Sequence, residues 1–315
     1  MTTQSIWLIG AGSMAQDYAR VLKTLKQPFE IIGRGQNSAL AFKKATGLGV
    51  RTGGLETNLK IDQSPQTAIV TVGIQQLAKI TEELIHSGTK RILLEKPGSL
   101  NLKEINSLNH LANEKKVEVF IAYNRRFYSS VEQLRKLITE DGGLLSVNFD
   151  FTEWAHIIRN EQQSPEVKER WLIGNSSHVI DLAFHLCGKP KDWNSWYEGN
   201  LDWHPASARF CGAGVTNQGV LFSYLSDWQG PGRWGLELIT SKNRFILRPL
   251  EKLQVVRLKS VLVESIELDN KLDESFKPGL YKQIYNFLKK DYSLFCSLSE
   301  QVENIKIYSK IAGYL

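Results

Sequence analysis

The stretch IWLIGAGSMAQDYARVL, residues 6–22, decides the fold. Its opening residues, Ile6 to Ile9, are an unbroken apolar run, the mark of a strand buried on both faces of a parallel sheet. The period then changes. Met14, Tyr18, Val21, Leu22 and Leu25 recur at helical spacing, with Ser13 placed to cap the helix start. Between strand and helix lies G-A-G-S-M-A, residues 10–15. Gly10 allows the tight turn, Gly12 lets the backbone approach a pyrophosphate, and Ala15 is small where helix and strand pack closely. Ser13 and Met14 open a helix whose free N–H groups and positive dipole end suit an anion. A glycine turn alone can be plain structure. This one follows a buried strand and opens an amphipathic helix, which makes it a dinucleotide-binding loop.

The alternation continues. FEIIG (29–33) is a second strand, residues 38–46 a helix closed by Gly47, and TAIVTVG (67–73) another buried strand. QLAKITEELIHSG is a helix ended by Gly88, RILLEKP (91–97) a strand stopped by Pro97, residues 101–115 a helix, and VEVFIAYN (117–124) a strand. This is a doubly wound parallel sheet, an N-terminal Rossmann domain over residues 1–122. Beyond it the period becomes two. LLSVNFDFTEW (144–154) and GVLFSYLSDW (219–228) alternate apolar with polar residues, and 236–249 reads as two strands joined at SKNR. Helices are expected at 128–140, 176–187, 278–289 and 298–311. Residues 123–315 are thus expected to form a C-terminal α+β domain with a large, mainly antiparallel sheet.

The second strand bears on the cofactor. An acid at its end would bond the ribose hydroxyls of NAD(H) and repel the 2′-phosphate of NADP(H). Glu30 lies inside the strand, too early for that role, and the strand end is Gly33-Arg34-Gly35. The Arg34 guanidinium can clamp a phosphate and stack on adenine. Asn37 and Ser38 can add donors near the next helix start. NADP(H) is therefore preferred, with NAD(H) as the alternative.

The 315 residues carry a net charge of +6 and an apolar fraction of 42%, enough for two globular domains. There is no dense Lys/Arg run to suggest nucleic acid, and no apolar stretch approaches a membrane span. The start, MTTQSIWLIGAG, reads as a strand entering a turn and not as a signal peptide. Cys187, Cys211 and Cys296 are scattered, which suits a reducing, cytoplasmic compartment.

Glu95-Lys96-Pro97 ends a parallel strand, at the sheet edge where ligands bind. Taken alone it is a charged strand terminus. Together with GAGSMA, YNRRF (123–127) and HVID (178–181), in this order and spacing, it resembles the Gfo/Idh/MocA oxidoreductases. The resemblance implies hydride transfer between nicotinamide and a carbon bearing a hydroxyl or carbonyl, usually on a sugar, inositol or related polyol. It implies that Lys96 is catalytic, with Glu95 beside it at the cofactor, and that the open sheet forms a homodimer or homotetramer. The family pattern has Asp, then His four residues on, then Asp three further. His178 and Asp181 match, but Gly174 stands where the first Asp belongs, with Asn175 the nearest polar substitute.

His178 is therefore expected to be the principal acid/base with Lys96 as partner, since imidazole titrates near neutrality. Asn175 and Asp181 are expected to orient substrate. Tyr123 and Asn124 are placed at the mouth of the cleft, and Tyr123 and Arg126 are assigned to substrate, with Arg125 and Arg126 on an extended stretch pointing to opposite sides. Trp171, just before the GNSSH loop, is the tryptophan assigned to substrate, as aromatic faces stack on sugars. A metal site from His178, Asp181 and His185 has no further ligand to support it, so no metal is expected. The resulting expectation is an NADP(H)-dependent reductase of a keto-sugar, nucleotide-linked forms included. A redox-assisted glycoside hydrolase or epimerase that retains its cofactor, and a non-catalytic cofactor sensor, are the alternatives.

Overall fold

The computed structural model describes residues 5–314. The lead-in Met1–Gln4, read above as the approach to the first strand, lies outside the described residues, as does Leu315. The chain forms two compact units. One runs to Tyr123 and takes back Ser275–Glu303; the other holds Asn124–Glu274 and the chain from Asn304 onward. The sequence places a single boundary between residues 122 and 123. The structure divides the chain after Tyr123 and, against that expectation, returns 275–303 to the first unit.

In the first unit β1 (Ile6–Ile9), β2 (Phe29–Ile32), β3 (Thr67–Val70), β4 (Arg91–Leu94) and β5 (Glu118–Ile121) are parallel. They run in the order β5-β4-β3-β1-β2, so the sheet reverses its winding at β1. Open α/β sheets bind ligands at such a switch point, beyond the strand ends. Every residue of β1 and β3 is buried, which is why these strands lack alternation. The connecting helices are α1 (Ser13–Thr24), α2 (Gln36–Thr46), α3 (Gly54–Ile61), α4 (Leu77–His86) and α5 (Leu102–Lys115). α5 is capped by Asn101, whose side chain accepts the Glu104 N–H. The returning segment is held by its own chemistry. Helix Leu280–Lys289 buries Leu280, Ile284 and Phe287 and packs on α1, while Cys296–Ser297 pairs antiparallel with β5. Full burial of each such side chain contributes about 1.5–3 kcal/mol.

In the second unit, helix α6 (Ser129–Glu140) is followed by an eight-stranded sheet: β6 (Ser146–Asp150), β7 (Pro190–Glu198), β8 (Arg209–Thr216), β9 (Leu221–Asp227), β10 (Gly235–Ile239), β11 (Asn243–Leu247), β12 (Gln254–Arg257) and β13 (Glu264–Ser265). Their order is β13-β12-β11-β10-β6-β9-β8-β7, antiparallel except for the β6–β9 pair. The alternation of β6 has its cause here. Val147 and Phe149 face a core that includes helix Ser177–Cys187, with Phe149 and Phe184 edge to face at 5.5 Å. The outer side of the sheet carries exposed Trp196 (60%), Leu221 and Leu225. Among the described residues no helix is long and apolar enough to cross a membrane.

Candidate cofactor and substrate sites

In the first unit, the backbone turns at the carboxyl end of β1. Gly10 has φ +125°, and a Cβ there would lie 2.6 Å from Thr71 Oγ1 and 2.8 Å from Thr71 O. Thr71 cannot retreat, because its hydroxyl donates to the Ile9 carbonyl at 3.0 Å. Gly12 differs: its Cβ would meet nothing within 4 Å. That open space lies at the start of α1, where Gly12 is an extended N-cap with no side-chain bond to the first turn. The N–H groups of Ser13, Met14 and Ala15 belong to this uncapped turn, which also has no acid. The uncapped turn and the open space fit a pyrophosphate. Lys277, on the returning segment, sets its ammonium 2.8 Å from the Met14 sulfur. Sequence reading missed this cation, because nothing local ties residue 277 to the first loop.

The end of β2 also has a glycine for a packing reason. A Cβ on Gly33 would reach 2.7 Å from Val50. Arg34 beside it is exposed, and among the described residues no partner engages its guanidinium. α2 begins at Gln36, two residues earlier than the sequence suggested, with extended Gly35 as its N-cap. Asn37 and Ser38 thus lie in the first turn of a helix with no side-chain cap, although the Ser38 hydroxyl donates back to the Gly35 carbonyl at 2.9 Å. Glu30 is occupied elsewhere: Arg51 bonds it at 2.5 Å and bonds Asp62 through its other nitrogen.

Glu95 accepts a 2.8 Å bond from the Tyr18 hydroxyl and the Lys96 N–H at 3.2 Å. Burial raises its carboxyl above the usual range, and the Lys96 charge opposes that shift. Burial, then Glu95, holds the Tyr18 phenol well above its ordinary value. Tyr123 departs from expectation. It is 1% exposed, and its hydroxyl receives the Gln301 amide at 3.0 Å, so it is a packed residue of the first unit.

The second unit brings the other candidates together differently from the sequence reading. Residues 124–127 form a tight 3-10 turn and not an extended stretch. Arg126, assigned to substrate above, is buried and clamps Asp181 through two bonds, Nε to Oδ2 at 2.8 Å and Nη2 to Oδ1 at 2.6 Å. Each side chain is 1% exposed. This pair ties the turn to helix Ser177–Cys187. Arg125 instead lies over the Trp234 ring at 4.8 Å, and burial lowers its pKa from the ordinary arginine value. His178, in the first turn of that helix, has its ring 6.1 Å from the same indole. Trp171 is buried edge to face on Trp203 at 6.1 Å, a packing role that departs from its assignment to substrate.

Gly174 lies in a π-turn, Leu172–Ser176, immediately before this helix. Asn175 and Ser176 both turn to a residue that sequence reading overlooked. Glu153 Oε1 accepts Asn175 Nδ2 and Ser176 Oγ, each at 2.8 Å, and Oε2 accepts Arg233 Nη1 at 2.5 Å. Arg233 lies over Trp234 at 4.4 Å and over Trp154 at 5.0 Å. Burial raises the Glu153 carboxyl, while Arg233 and the Ser176 bond pull it down. The only sequence signal was an acid at the end of an alternating strand.

Residues 5–123 match the family model described as an oxidoreductase family with an NAD-binding Rossmann fold. The chain is 30% identical over 140 residues to the scyllo-inositol 2-dehydrogenase (NADP(+)) IolW of Bacillus subtilis strain 168, covering 41% of this chain and 37% of that protein. It is 26% identical over 198 residues to the glucose-6-phosphate 3-dehydrogenase of the same organism, covering 58% of this chain and 53% of that one. The matched lengths are thus a third to about a half of these relatives. Among solved structures, levoglucosan dehydrogenase in complex with NADH and L-sorbose superposes with a TM-score of 0.79 at 16% identity, covering 99% of this chain and 96% of that one. UDP-N-acetylglucosamine 3-dehydrogenase GnnA of Acidithiobacillus ferrooxidans gives 0.77 at 14%, covering 100% and 98%. At these identities the likeness is one of fold.

Proposed function

We propose, from the match of residues 5–123 to the Gfo/Idh/MocA oxidoreductase family model, that the chain is an NADP(H)-dependent oxidoreductase of a sugar or sugar-like polyol, nucleotide-linked forms included. Reduction of a keto-sugar is the direction we assign. The observation that carries the cofactor reading is the uncapped α1 turn with open space at Gly12, beside an exposed, unengaged Arg34. The α1 amides receive the pyrophosphate, and Arg34 with the first turn of α2 receives the 2′-phosphate. Glu30 does not compete for the ribose because Arg51 holds it. The NADP dependence of the related inositol dehydrogenase supports this choice.

Bound there, the nicotinamide supplies a two-electron hydride carrier. The chain supplies proton handling. In this proposal Lys96 hydrogen-bonds the reacting oxygen, and His178 takes its proton on oxidation or returns it on reduction. Asn175 orients a substrate hydroxyl. The polyol and sugar relatives support the substrate class. The exposed Trp196, Leu221 and Leu225 support self-association through the sheet as a homodimer or homotetramer. Cys187, Cys211 and Cys296, which form no disulfide with one another, support a reducing, cytoplasmic location.

The test is turnover of scyllo-inositol, glucose 6-phosphate and levoglucosan with NADP+, read as absorbance of free NADPH. Net NADPH formation is expected with at least one of them, and Lys96→Ala and His178→Ala should each abolish it. Turnover undiminished in both variants would sink the mechanism. Sugar conversion without free NADPH would favour the retained-cofactor alternative.

A further inference from the structure

We propose that Glu153 supplies the carboxylate the chain lacks at position 174, as a positioning residue that fixes Asn175 so that its amide oxygen is presented to the substrate. This rests on the polyol reading above. The geometry lies wholly within the second unit. Glu153 is 1% exposed, and both its oxygens are taken: Oε1 by Asn175 and Ser176, Oε2 by Arg233. An ionised carboxylate only accepts. Whichever way the Asn175 amide is turned, the group facing Glu153 must be its NH2, so its oxygen faces away. Among the described residues that oxygen receives no hydrogen bond. It is left to accept from a ligand hydroxyl, as an Asp oxygen would.

Three features argue that this is more than packing. Asn175 and Ser176 directly follow Gly174, so the carboxylate reaches the vacated place from another element, the strand end after β6. The π-turn Leu172–Ser176 brings both residues to Glu153, and such turns recur at functional sites because they redirect side chains within a helix. A buried acid is also a poor choice for stability alone, since its desolvation is costly unless every oxygen is bonded and a cation stands by. Here the cation is Arg233, which lies over the rings of Trp154 and Trp234. Trp234 also faces His178, so Glu153, Asn175, Arg233, Trp234 and His178 form one continuous cluster. The charge is thus present but delivered indirectly, through an amide whose oxygen accepts and does not titrate.

The decisive variant is Glu153→Gln, which keeps the shape and lets the Asn175 amide turn over. Its first readout needs no substrate: solvent exchange of the Asn175 side-chain amide, in protein labelled with 15N-asparagine and assigned with Asn175→Ala. Wild type should show a protected NH2, and Glu153→Gln should exchange about tenfold faster or more, the loss of a bond to a charged group. The second readout is kcat and KM on whichever of scyllo-inositol, glucose 6-phosphate or levoglucosan turns over with NADP+. The variant should lose about 10²-fold in kcat, with a smaller change in KM, as expected of a misoriented reacting group. Wild-type exchange together with wild-type kcat would overturn the proposal, as would faster exchange with kcat untouched. Should Glu153→Gln fail to fold, Asn175→Ala leaves Glu153 its Ser176 and Arg233 bonds and must show the same kcat loss. If wild type turns over none of the probes, the polyol reading fails, while amide exchange still decides whether Glu153 holds Asn175.

Discussion

Neutralising Asp181 should cost the second unit much of its stability while leaving its shape intact. Arg126 and Asp181 are joined by bonds of 2.8 and 2.6 Å, and each side chain is 1% exposed. Asp181→Asn is isosteric but removes the carboxylate charge that the buried Arg126 guanidinium faces and sets an NH2 group among its donors. Removing one partner of such a pair costs about 3–5 kcal/mol. For a unit of roughly 160 residues, each kcal/mol lowers the melting temperature by about 2–4 °C, so a drop of about 6–20 °C is expected. The double variant Arg126→Met, Asp181→Leu removes both charges of the pair and should recover most of it. Calorimetry or circular dichroism melts of the three proteins read this directly. A melt of Asp181→Asn within about 1 °C of wild type would refute the structural role. If turnover were abolished at the same time, the substrate contact inferred from sequence would replace it.

Gly10→Ala should lower the melting temperature and abolish NADPH binding. The new Cβ collides with a Thr71 that cannot move, at a φ that alone costs about 1–3 kcal/mol; a wild-type melt would contradict this. His204 gives a pH prediction. Its Nδ1 donates to the Ser207 carbonyl at 2.6 Å and its Nε2 accepts from the Tyr314 hydroxyl at 2.5 Å. Burial lowers its pKa from 6.5 to about 4. The unfolded chain therefore takes up the proton first. Stability from this group is complete above pH 6.5 and falls as pH drops towards 4, by about 3 kcal/mol in all. Urea unfolding across that window should show a shallower pH dependence in His204→Gln, and an identical slope would be against it.

Much of the first unit was legible because β1, β3 and β4 are apolar runs and the glycine turn follows the first of them. The return of residues 275–303 was not. Leu280, Ile284 and Phe287 mark a buried helical face, but nothing in them says which unit they meet. α3 escaped notice because it is short and starts from two glycines with left-handed backbones. β7 escaped because most of its residues are solvent-exposed, so no apolar alternation marks it. In the second unit His178 and the gap at Gly174 could be read from spacing, whereas the pairing of Arg126 with Asp181 and the burial of Tyr123 depend on three-dimensional partners. Glu153 was invisible for the same reason. Its neighbours in sequence are Thr152 and Trp154, and its chemistry comes from Asn175, Ser176 and Arg233.

The central claim is that Arg34 has replaced the ribose-binding acid as a phosphate clamp. It is tested most directly by the ratio of NADPH to NADH dissociation constants, measured by nucleotide fluorescence in wild type and Arg34→Asp. A hydrogen-bonded contact to a charged group contributes about 1.5–3 kcal/mol, so wild type should bind NADPH about 10- to 100-fold more tightly. Arg34→Asp should erase that preference by weakening NADPH while sparing NADH. Equal affinities in wild type, or an equal loss for both nucleotides in the variant, would contradict it.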